Sequence, residues 1–381
     1  MNAPAAFPDD RLGESKQTPP AQPENAACYK VRVLIIDDSL TVRTIFKRMI
    51  EGHRRMVVVG TASSAERAIA QLDVLSVDVI LLDLEMPGMG GLEALPTLLK
   101  TAKGAEVLVV SSLAADGAEH TVSALSMGAA DTMLKPRPGG FTDEYRRQLL
   151  AKIEALGGKL IEEQSPQTSA DPTHVSTPTR AKAAKPPEVL AIGASTGGIH
   201  ALNLLLRELP REFDLPILIT QHLPSSFIPV FARQIEVASG RKTVVAEEGT
   251  EIRPGQIAIA TGHGHMVVKR IADRLIARTS SQPARSGCMP SVDPMLESLA
   301  EACDGHALAI ILSGMGRDGI EGAQKLFDRG GAIFAQDMES SAVWGMPGAV
   351  AKAGLATIVA APEELRDAAL KMVPANTSVG K

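Results

Sequence analysis

Cysteine is scarce in this 381-residue chain: Cys28, Cys288 and Cys303 are too few for a disulfide framework at this length. They read as reduced thiols. Aromatic residues make up only 3%, which leaves few platforms for stacking bases. The formal net charge of −5 supplies no excess of cations for a phosphate backbone. Nucleic acid is therefore not an expected partner. No apolar run approaches the ~18 residues of a membrane span, and Asp9 and Asp10 stand where a signal peptide would be apolar. The expectation is a cytoplasmic protein without membrane insertion.

What is present is globular in composition, with 45% hydrophobic and 22% charged residues, and long enough for two domains and a linker. Residues 1–28 are rich in Ala, Pro and polar residues without periodicity and read as a disordered extension. From about Gly157 to Pro187, Ser, Thr, Pro, Ala and Lys follow no apolar pattern. The chain then divides into a unit at 29–150, a helix end and flexible linker at 151–187, and a unit at 188–375.

Short apolar runs at 31–36, 56–59, 79–82, 107–110 and 131–134 predict five buried strands, alternating with helical spacing at 41–51, 64–75 and 119–127. The second unit repeats the rhythm. Strands are predicted at 189–192, 216–220, 308–312 and 332–335, with helices at 198–209, 227–239, 294–303 and 319–328. Residues 251–270 alternate and are richer in Gly, which predicts an inserted β-hairpin. The fold class is α/β, with two doubly wound parallel-sheet domains.

In an open parallel sheet, residues at the carboxyl ends of strands meet in one crevice. Asp37 and Asp38 follow the first strand, Asp83 ends the third, Ser111 the fourth and Lys135 the fifth. Gathered carboxylates repel unless a divalent cation joins them, and oxygen ligands suit Mg²⁺. The set suits an aspartyl phosphate formed on Asp83, with Lys135 pairing a phosphoryl oxygen. With Met86-Pro87 and Lys135-Pro136, this unit resembles the response-regulator receiver family. The resemblance implies Asp83 as phosphoacceptor and Mg²⁺ on Asp38, Asp83 and the Glu85 carbonyl, with Asp37 beside them. It also implies Ser111 and Lys135 as the switch pair. Gly90 stands where that family usually has an acidic residue, which should weaken the cap of the following helix.

In the second unit, Gly193-Ala194-Ser195-Thr196-Gly197-Gly198 leaves a strand and opens a helix, with the spacing of a nucleophile elbow. A glycine-rich turn of this kind also suits phosphate binding. His222 ends the next strand, where a general base for Ser195 would sit. Asp318, in the loop Ser313–Gly319, suits the acid of a triad or a helix cap, and Asp337 is a rival acid. Ser313 is the next candidate nucleophile. His263 and His265 form an HxH pair without a third ligand at useful spacing, which reads as a hairpin surface.

Gly-Ala-Ser-Thr-Gly-Gly, Gln221-His222-Leu223-Pro224, Pro290-Ser291-Val292-Asp293, the Ser313–Gly319 loop and Gln336-Asp337 with Gly345-Met346-Pro347 resemble the chemotaxis protein-glutamate methylesterase family. That resemblance implies Ser195 as nucleophile, His222 as base, Asp318 as orienting acid and the amides of Thr196 and Met315 as oxyanion hole. It implies methylated chemotaxis receptors as substrate, a chemotaxis histidine kinase as phosphodonor, and no cofactor for the esterase reaction. With an ordinary imidazole near ~6.5, activity would rise through pH 6–7.5. The unphosphorylated receiver is expected to cover the crevice holding Ser195.

Two other readings are weaker. A short-chain dehydrogenase would need a further glycine where Ile199 stands and a Tyr-x-x-x-Lys pair, but Tyr29 and Tyr145 both precede the linker. A response regulator with a non-enzymatic binding output, such as DNA binding, would not need so large an α/β unit.

Overall fold

The computed structural model describes residues 29–111, 115–136, 140–164 and 185–373. The expected extension at 1–28 and the middle of the expected linker lie outside the described residues.

The first unit alternates β1 (Val31–Ile36), α1 (Leu40–Glu51), β2 (Met56–Ala62), α2 (Ala65–Leu72), β3 (Val79–Asp83), α3 (Gly91–Thr101), β4 (Glu106–Ser111), α4 (Ala115–Met127), β5 (Asp131–Leu134) and α5 (Asp143–Gln164). Helices cover both faces of the sheet, so its strands read as near-continuous Val, Ile and Leu. The five strands are parallel in the order β2-β1-β3-β4-β5. Strand order reverses at β1, and the crevice between β1 and β3 opens where Asp37, Asp38 and Asp83 stand.

Local chemistry sets the helix starts. Ser39 Oγ accepts from the Val42 amide and Ser64 Oγ from the Arg67 amide, each satisfying an orphan donor of a first turn. At α3 the cap is Gly90, which supplies no side-chain bond, as its sequence position implies. The linker does not begin at Gly157. The Gly157-Gly158 pair mimics a helix break, yet α5 continues to Gln164 with Leu156 buried. Gly157 is needed there for contact, since a Cβ would overlap the Val31 side chain.

The second unit runs β6 (Val189–Ala194), α6 (Gly198–Leu206), β7 (Ile217–Gln221), α7 (Ile228–Ser239), β8 (Thr243–Ala246), β9 (Glu251–Ile252), β10 (Ile257–Ala260), β11 (His265–Ile271), β12 (Arg274–Ser280), α8 (Val292–Ala302), β13 (Ala307–Ile311), α9 (Ile320–Asp328), β14 (Ala332–Gln336), α10 (Met346–Lys352), β15 (Ile358–Ala360) and α11 (Pro362–Met372). Seven parallel strands lie in the order β15-β14-β13-β6-β7-β10-β8. The four expected strands are present, joined by β10 and by the edge strands β8 and β15. The antiparallel hairpin is also present but displaced: β10 belongs to the parallel sheet, and β11 pairs with β12 around Ala272-Asp273. Strand β9 completes this small sheet.

The two units touch. Helix α4 packs against α6 and α7, and one apolar cluster runs from Leu125 and Ala129 to Ile199 and Leu202. Arg233 pairs with Glu119 at 2.9 Å, and the Gln234 amide lies between the hydroxyls of Ser123 and Ser126. His200 Nδ1 lies 3.2 Å from the Ser126 carbonyl.

Gly91 is the tightest point of the first crevice, because a Cβ there would overlap the Asp83 carbonyl oxygen. Gly91→Ala should destabilise the receiver unit by about 1–3 kcal/mol, as overpacking against rigid backbone does. Denaturant titration of the full chain should show an earlier receiver transition. An unmoved transition would mean that α3 shifts without cost.

Candidate active site

The crevice of the second sheet lies where β6 is flanked by β7 on one side and β13 on the other. Each strand delivers one polar side chain from its carboxyl end. After β6 the chain turns through Ser195 and Thr196 to Gly197, whose φ of 77° is a left-handed conformation that glycine adopts freely. At Gly193 a Cβ would meet Val292 at 2.6 Å, so the strand end itself must be glycine. His222 follows β7, and Asp318 ends the loop after β13.

Ser195, His222 and Asp318 come together as expected. His222 Nδ1 lies 3.1 Å from Ser195 Oγ, and its Nε2 lies 2.7 Å from Asp318 Oδ2. The Asp318 carboxylate also accepts from Ser291 Oγ at 2.6 Å and from the Val292 amide at 2.7 Å. The rival residues are committed elsewhere. Asp337 Oδ1 accepts from the Ser340 amide and hydroxyl, and Ser313 Oγ donates to the Thr196 carbonyl at 2.7 Å.

Burial alone would raise Asp318, but its bonds to His222, Ser291 and Val292 outweigh that and hold the carboxyl well below the usual range. Burial likewise favours neutral His222, yet hydrogen bonding to Asp318 and Cys288 prevails and lifts the imidazole to about 9. An imidazole so raised would place the rise of activity above the pH 6–7.5 expected for an ordinary one. Asp293, buried beside Asp318, is pushed up to about 7 although its Oδ1 accepts from the Gly322 amide at 2.8 Å.

Peptide geometry orients the amides expected to form the oxyanion hole. The Ser195 carbonyl accepts from Gln221 Nε2 at 2.9 Å and from the Gly198 amide at 2.8 Å. In a trans peptide the Thr196 N–H must then point the opposite way. The Gly314 carbonyl is held by the amides of Gly345 and Met346 at 3.1 and 2.8 Å, which turns the Met315 N–H in the same manner. Neither amide donates to a backbone carbonyl among the described residues.

Several residues at the site carried no sequence-based role. Ser291 and Gln221 lie inside recognised motifs but had no assigned task. His265 is not on a hairpin surface: it is 1% exposed, and its Nδ1 accepts from the Ser291 amide at 2.9 Å. Its position just inside β11 turns it toward α8 rather than solvent. Cys288 stands beside His222 and Asp318, with one ligand atom of each within 4.8 Å of the others.

In the receiver crevice, carboxylate oxygens of Asp37, Asp38 and Asp83 lie within 4.8 Å of one another. Lys135 Nζ contacts Asp37 Oδ2 at 2.8 Å and Asp83 Oδ2 at 2.7 Å. Burial still pushes Asp83 up to about 6 against the pull of Lys135. A crowded, all-oxygen set of this kind fits Mg²⁺, a hard cation. The Glu85 amide donates to Asp83 Oδ1 at 3.1 Å. Ser111 is buried, and its Oγ lies 2.6 Å from Thr121 Oγ1, which in turn donates to the Gly117 carbonyl. With the Thr121 proton so committed, Ser111 is the donor to Thr121 on α4.

The esterase crevice meets the receiver at the amino-terminal end of β5, the opposite end of that strand from Lys135. Thr196 Oγ1 donates to Asp131 Oδ2, and the Gly197 amide to the Ala130 carbonyl, each at 2.5 Å. Lys152 Nζ pairs with the same Asp131 oxygen at 2.6 Å. The receiver thus grips the two residues that follow Ser195. His222 keeps 16% of its side chain exposed, so the crevice is not sealed.

Comparison with known proteins agrees with both units. Residues 190–369 match the CheB methylesterase family, and residues 33–141 match the response regulator receiver domain. The protein-glutamate methylesterase/protein-glutamine glutaminase 1 of Paramagnetospirillum magneticum is 38% identical over 359 residues, covering 87% of this chain and 93% of that protein. Its namesake from Maricaulis maris is 38% identical, covering 85% and 91%. Protein 2 of that name from Caulobacter vibrioides is 40% identical over 332 residues, covering 86% and 95%. Similarity of this extent, across receiver and esterase units in the same order, means that the chain belongs to the CheB family of protein-glutamate methylesterases/protein-glutamine glutaminases.

Proposed function

We propose that this protein is a phosphorylation-controlled serine hydrolase that cleaves γ-glutamyl methyl esters on chemotaxis receptors, and deamidates receptor glutamines by the same attack. The observation that carries the reading is the continuous path from Ser195 Oγ through His222 to Asp318, at 3.1 and 2.7 Å.

In the reaction, His222 Nδ1 takes the Ser195 proton as Oγ bonds to the ester carbonyl carbon. The carbonyl oxygen becomes an oxyanion facing the amides of Thr196 and Met315. Collapse breaks the bond to methoxide, which leaves as methanol with the proton from His222. Water then enters the same way, and the acyl-enzyme returns a free glutamate side chain. With glutamine the leaving group is ammonia, a poorer one, so deamidation is the slower branch. Asp318 stabilises the imidazolium and fixes the ring without itself becoming protonated.

Control begins at Asp83, whose carboxylate attacks the phosphoryl group of a kinase donor. Asp38, Asp83 and the Glu85 carbonyl would hold Mg²⁺, with Asp37 beside them; the ion supplies charge neutralisation for the phosphoryl oxygens. Lys135 pairs one phosphoryl oxygen, and Ser111 exchanges its bond to Thr121 for another. That exchange frees α4, the helix packed on α6 and α7, and loosens the grip of β5 on Thr196 and Gly197. Receptor helices, the substrate, then reach the crevice.

Ser195→Ala should abolish methanol release from methylated receptor membranes while leaving the fold intact. Asp318→Asn should cost about 10³–10⁴-fold, and the double substitution little more than Ser195→Ala alone, because triad members act as a unit. Retention of a tenth of the activity in Ser195→Ala would move the nucleophile elsewhere.

The raised imidazole gives a pH test. Below about 9 the folded protein holds His222 increasingly as imidazolium, which cannot accept the serine proton. The rate constant kcat/KM should therefore climb with a midpoint well above the ~6.5 of free imidazole. A midpoint at or below that value would mean that Asp318 orients the ring without stabilising its charge.

Asp131→Ala removes the carboxylate that grips Thr196 while leaving both crevices intact. Unphosphorylated activity should rise about fivefold or more, the low end of an allosteric coupling of ~1–3 kcal/mol, and a small phosphodonor should add less than in the parent. Unchanged basal activity would show that the β5 contact does not limit turnover.

A further inference from the structure

Cys288 lies in the loop between β12 and α8, half-buried, and the triad chemistry does not use it. Its thiol donates weakly to the Ser286 carbonyl at 3.9 Å and faces His222. Across the crevice mouth it faces His222 and Asp318, and one donor atom of each residue lies within 4.8 Å of the other two. The three side chains are separated by 66 and 30 positions in the sequence and arrive from three different elements.

Three donors of different softness converge here. Thiol, imidazole and carboxylate are the ligands of tetrahedral Zn²⁺, at about 2.3, 2.0–2.1 and 2.0–2.2 Å. On such an ion neighbouring donor atoms stand roughly 3.4–3.7 Å apart, by tetrahedral geometry from those bond lengths. His222 Nε2 and Asp318 Oδ2, now 2.7 Å apart, must part by roughly 0.7 Å to flank an ion, while the Cys288 thiol, within 4.8 Å of one donor atom of each, approaches from its exposed loop. A cysteine thiolate and an aspartate carboxylate together balance the charge of one Zn²⁺. The receiver crevice, by contrast, offers oxygen alone and suits Mg²⁺.

We propose that His222, Cys288 and Asp318 form a zinc site that shuts the esterase off by capturing its general base. The inhibitory half of this inference rests on the functional reading above. His222 turns Nδ1 toward Ser195 and Nε2 toward Asp318. Zinc takes the Nε2 lone pair, which requires the ring proton to sit on Nδ1. An Nδ1–H donates to Ser195 Oγ and cannot receive its proton. The imidazolium releases its Nε2 proton and the Cys288 thiol its own, both to solvent, as nitrogen and sulfur bond the metal, and no electron changes hands. A fourth position is left to solvent, so the metal can enter and be removed by chelators.

The test uses the metal-free full chain with Co²⁺ as a spectroscopic substitute. Added Co²⁺ should produce a thiolate-to-cobalt charge-transfer band that saturates at one ion per chain and disappears when Zn²⁺ displaces it. The band should be lost in Cys288→Ser and retained in Asp83→Asn, which disables only the receiver crevice. In parallel, Zn²⁺ should inhibit methanol release, chelation should restore it, and Mg²⁺ should have no such effect. Each variant is compared with its own zinc-free rate. Cys288→Ser should need about a hundredfold more Zn²⁺ for half-inhibition, since losing a ligand outweighs the roughly 10–100-fold typical of losing a supporting partner. No band in the parent, or a band that survives Cys288→Ser, overturns the site. A Cys288-dependent band without inhibition overturns the capture of the base, and the proposal with it. The cobalt spectrum needs no substrate. A chain that binds cobalt through Cys288 but releases no methanol under any condition would therefore fail the functional reading and not the metal site.

Discussion

Asp318 is a carboxylate buried to 2% exposure, and such a group stays ionised only where hydrogen bonds replace water. Three donors do so here: His222 Nε2, Ser291 Oγ and the Val292 amide. The last two come from the start of α8, so the helix that packs beneath the crevice also sets the charge within it. His265 fixes that start by accepting the Ser291 amide. One anion therefore ties β7, β11, α8 and the loop after β13 into a single unit, and the orientation of His222 follows from it.

The same pairing links the site to stability. Asp318, held below its ordinary range, favours the folded state above about pH 4 and loses that effect as acid protonates it. His222, lifted to about 9, favours the folded state below about pH 6.5 and loses that effect as pH rises through 9. These are two views of one interaction and are not additive. They set the strongest pairing between the two limits, while proton transfer from Ser195 gains toward the alkaline end. On the proposed mechanism, catalysis and stability are opposed at the imidazole itself.

Much of this was legible in the sequence because strand ends are legible. Buried parallel strands are short Val, Ile and Leu runs, and the first polar residues after each fall in the crevice; that rule brings out Asp37, Asp83 and Ser195, and His222 just behind Gln221. Asp318 stayed ambiguous with Asp337 by spacing, since both follow strands, and only the family motif separated them. The supporting layer was hidden for a physical reason. His265 meets Ser291, and Cys288 meets His222, through loops whose course depends on the displaced hairpin β11–β12. An alternating stretch such as 251–270 fixes which residues share a face but not which strand they pair with. Gly157 misled in the opposite direction. A glycine pair in a polar stretch reads as a break, whereas here it admits close contact between α5 and β1.

The contact at β5 ties regulation to the chemistry more closely than a cover over the crevice would. Asp131 binds the side chain of Thr196, and Ala130 the amide of Gly197. The peptide that aims the Thr196 N–H is held on its other side by Gln221 and Gly198. On the proposed reading, a receiver attached at this point could change two things at once: access for a bulky substrate, and the aim of an amide that would meet the developing oxyanion within a few tenths of an ångström. The Ser111–Thr121 bond reaches α4, one short connection before β5. From Ser111 the contacts run through Thr121 to α4, which packs on α6 and α7 and leads into the start of β5, where Asp131 and Ala130 hold Thr196 and Gly197.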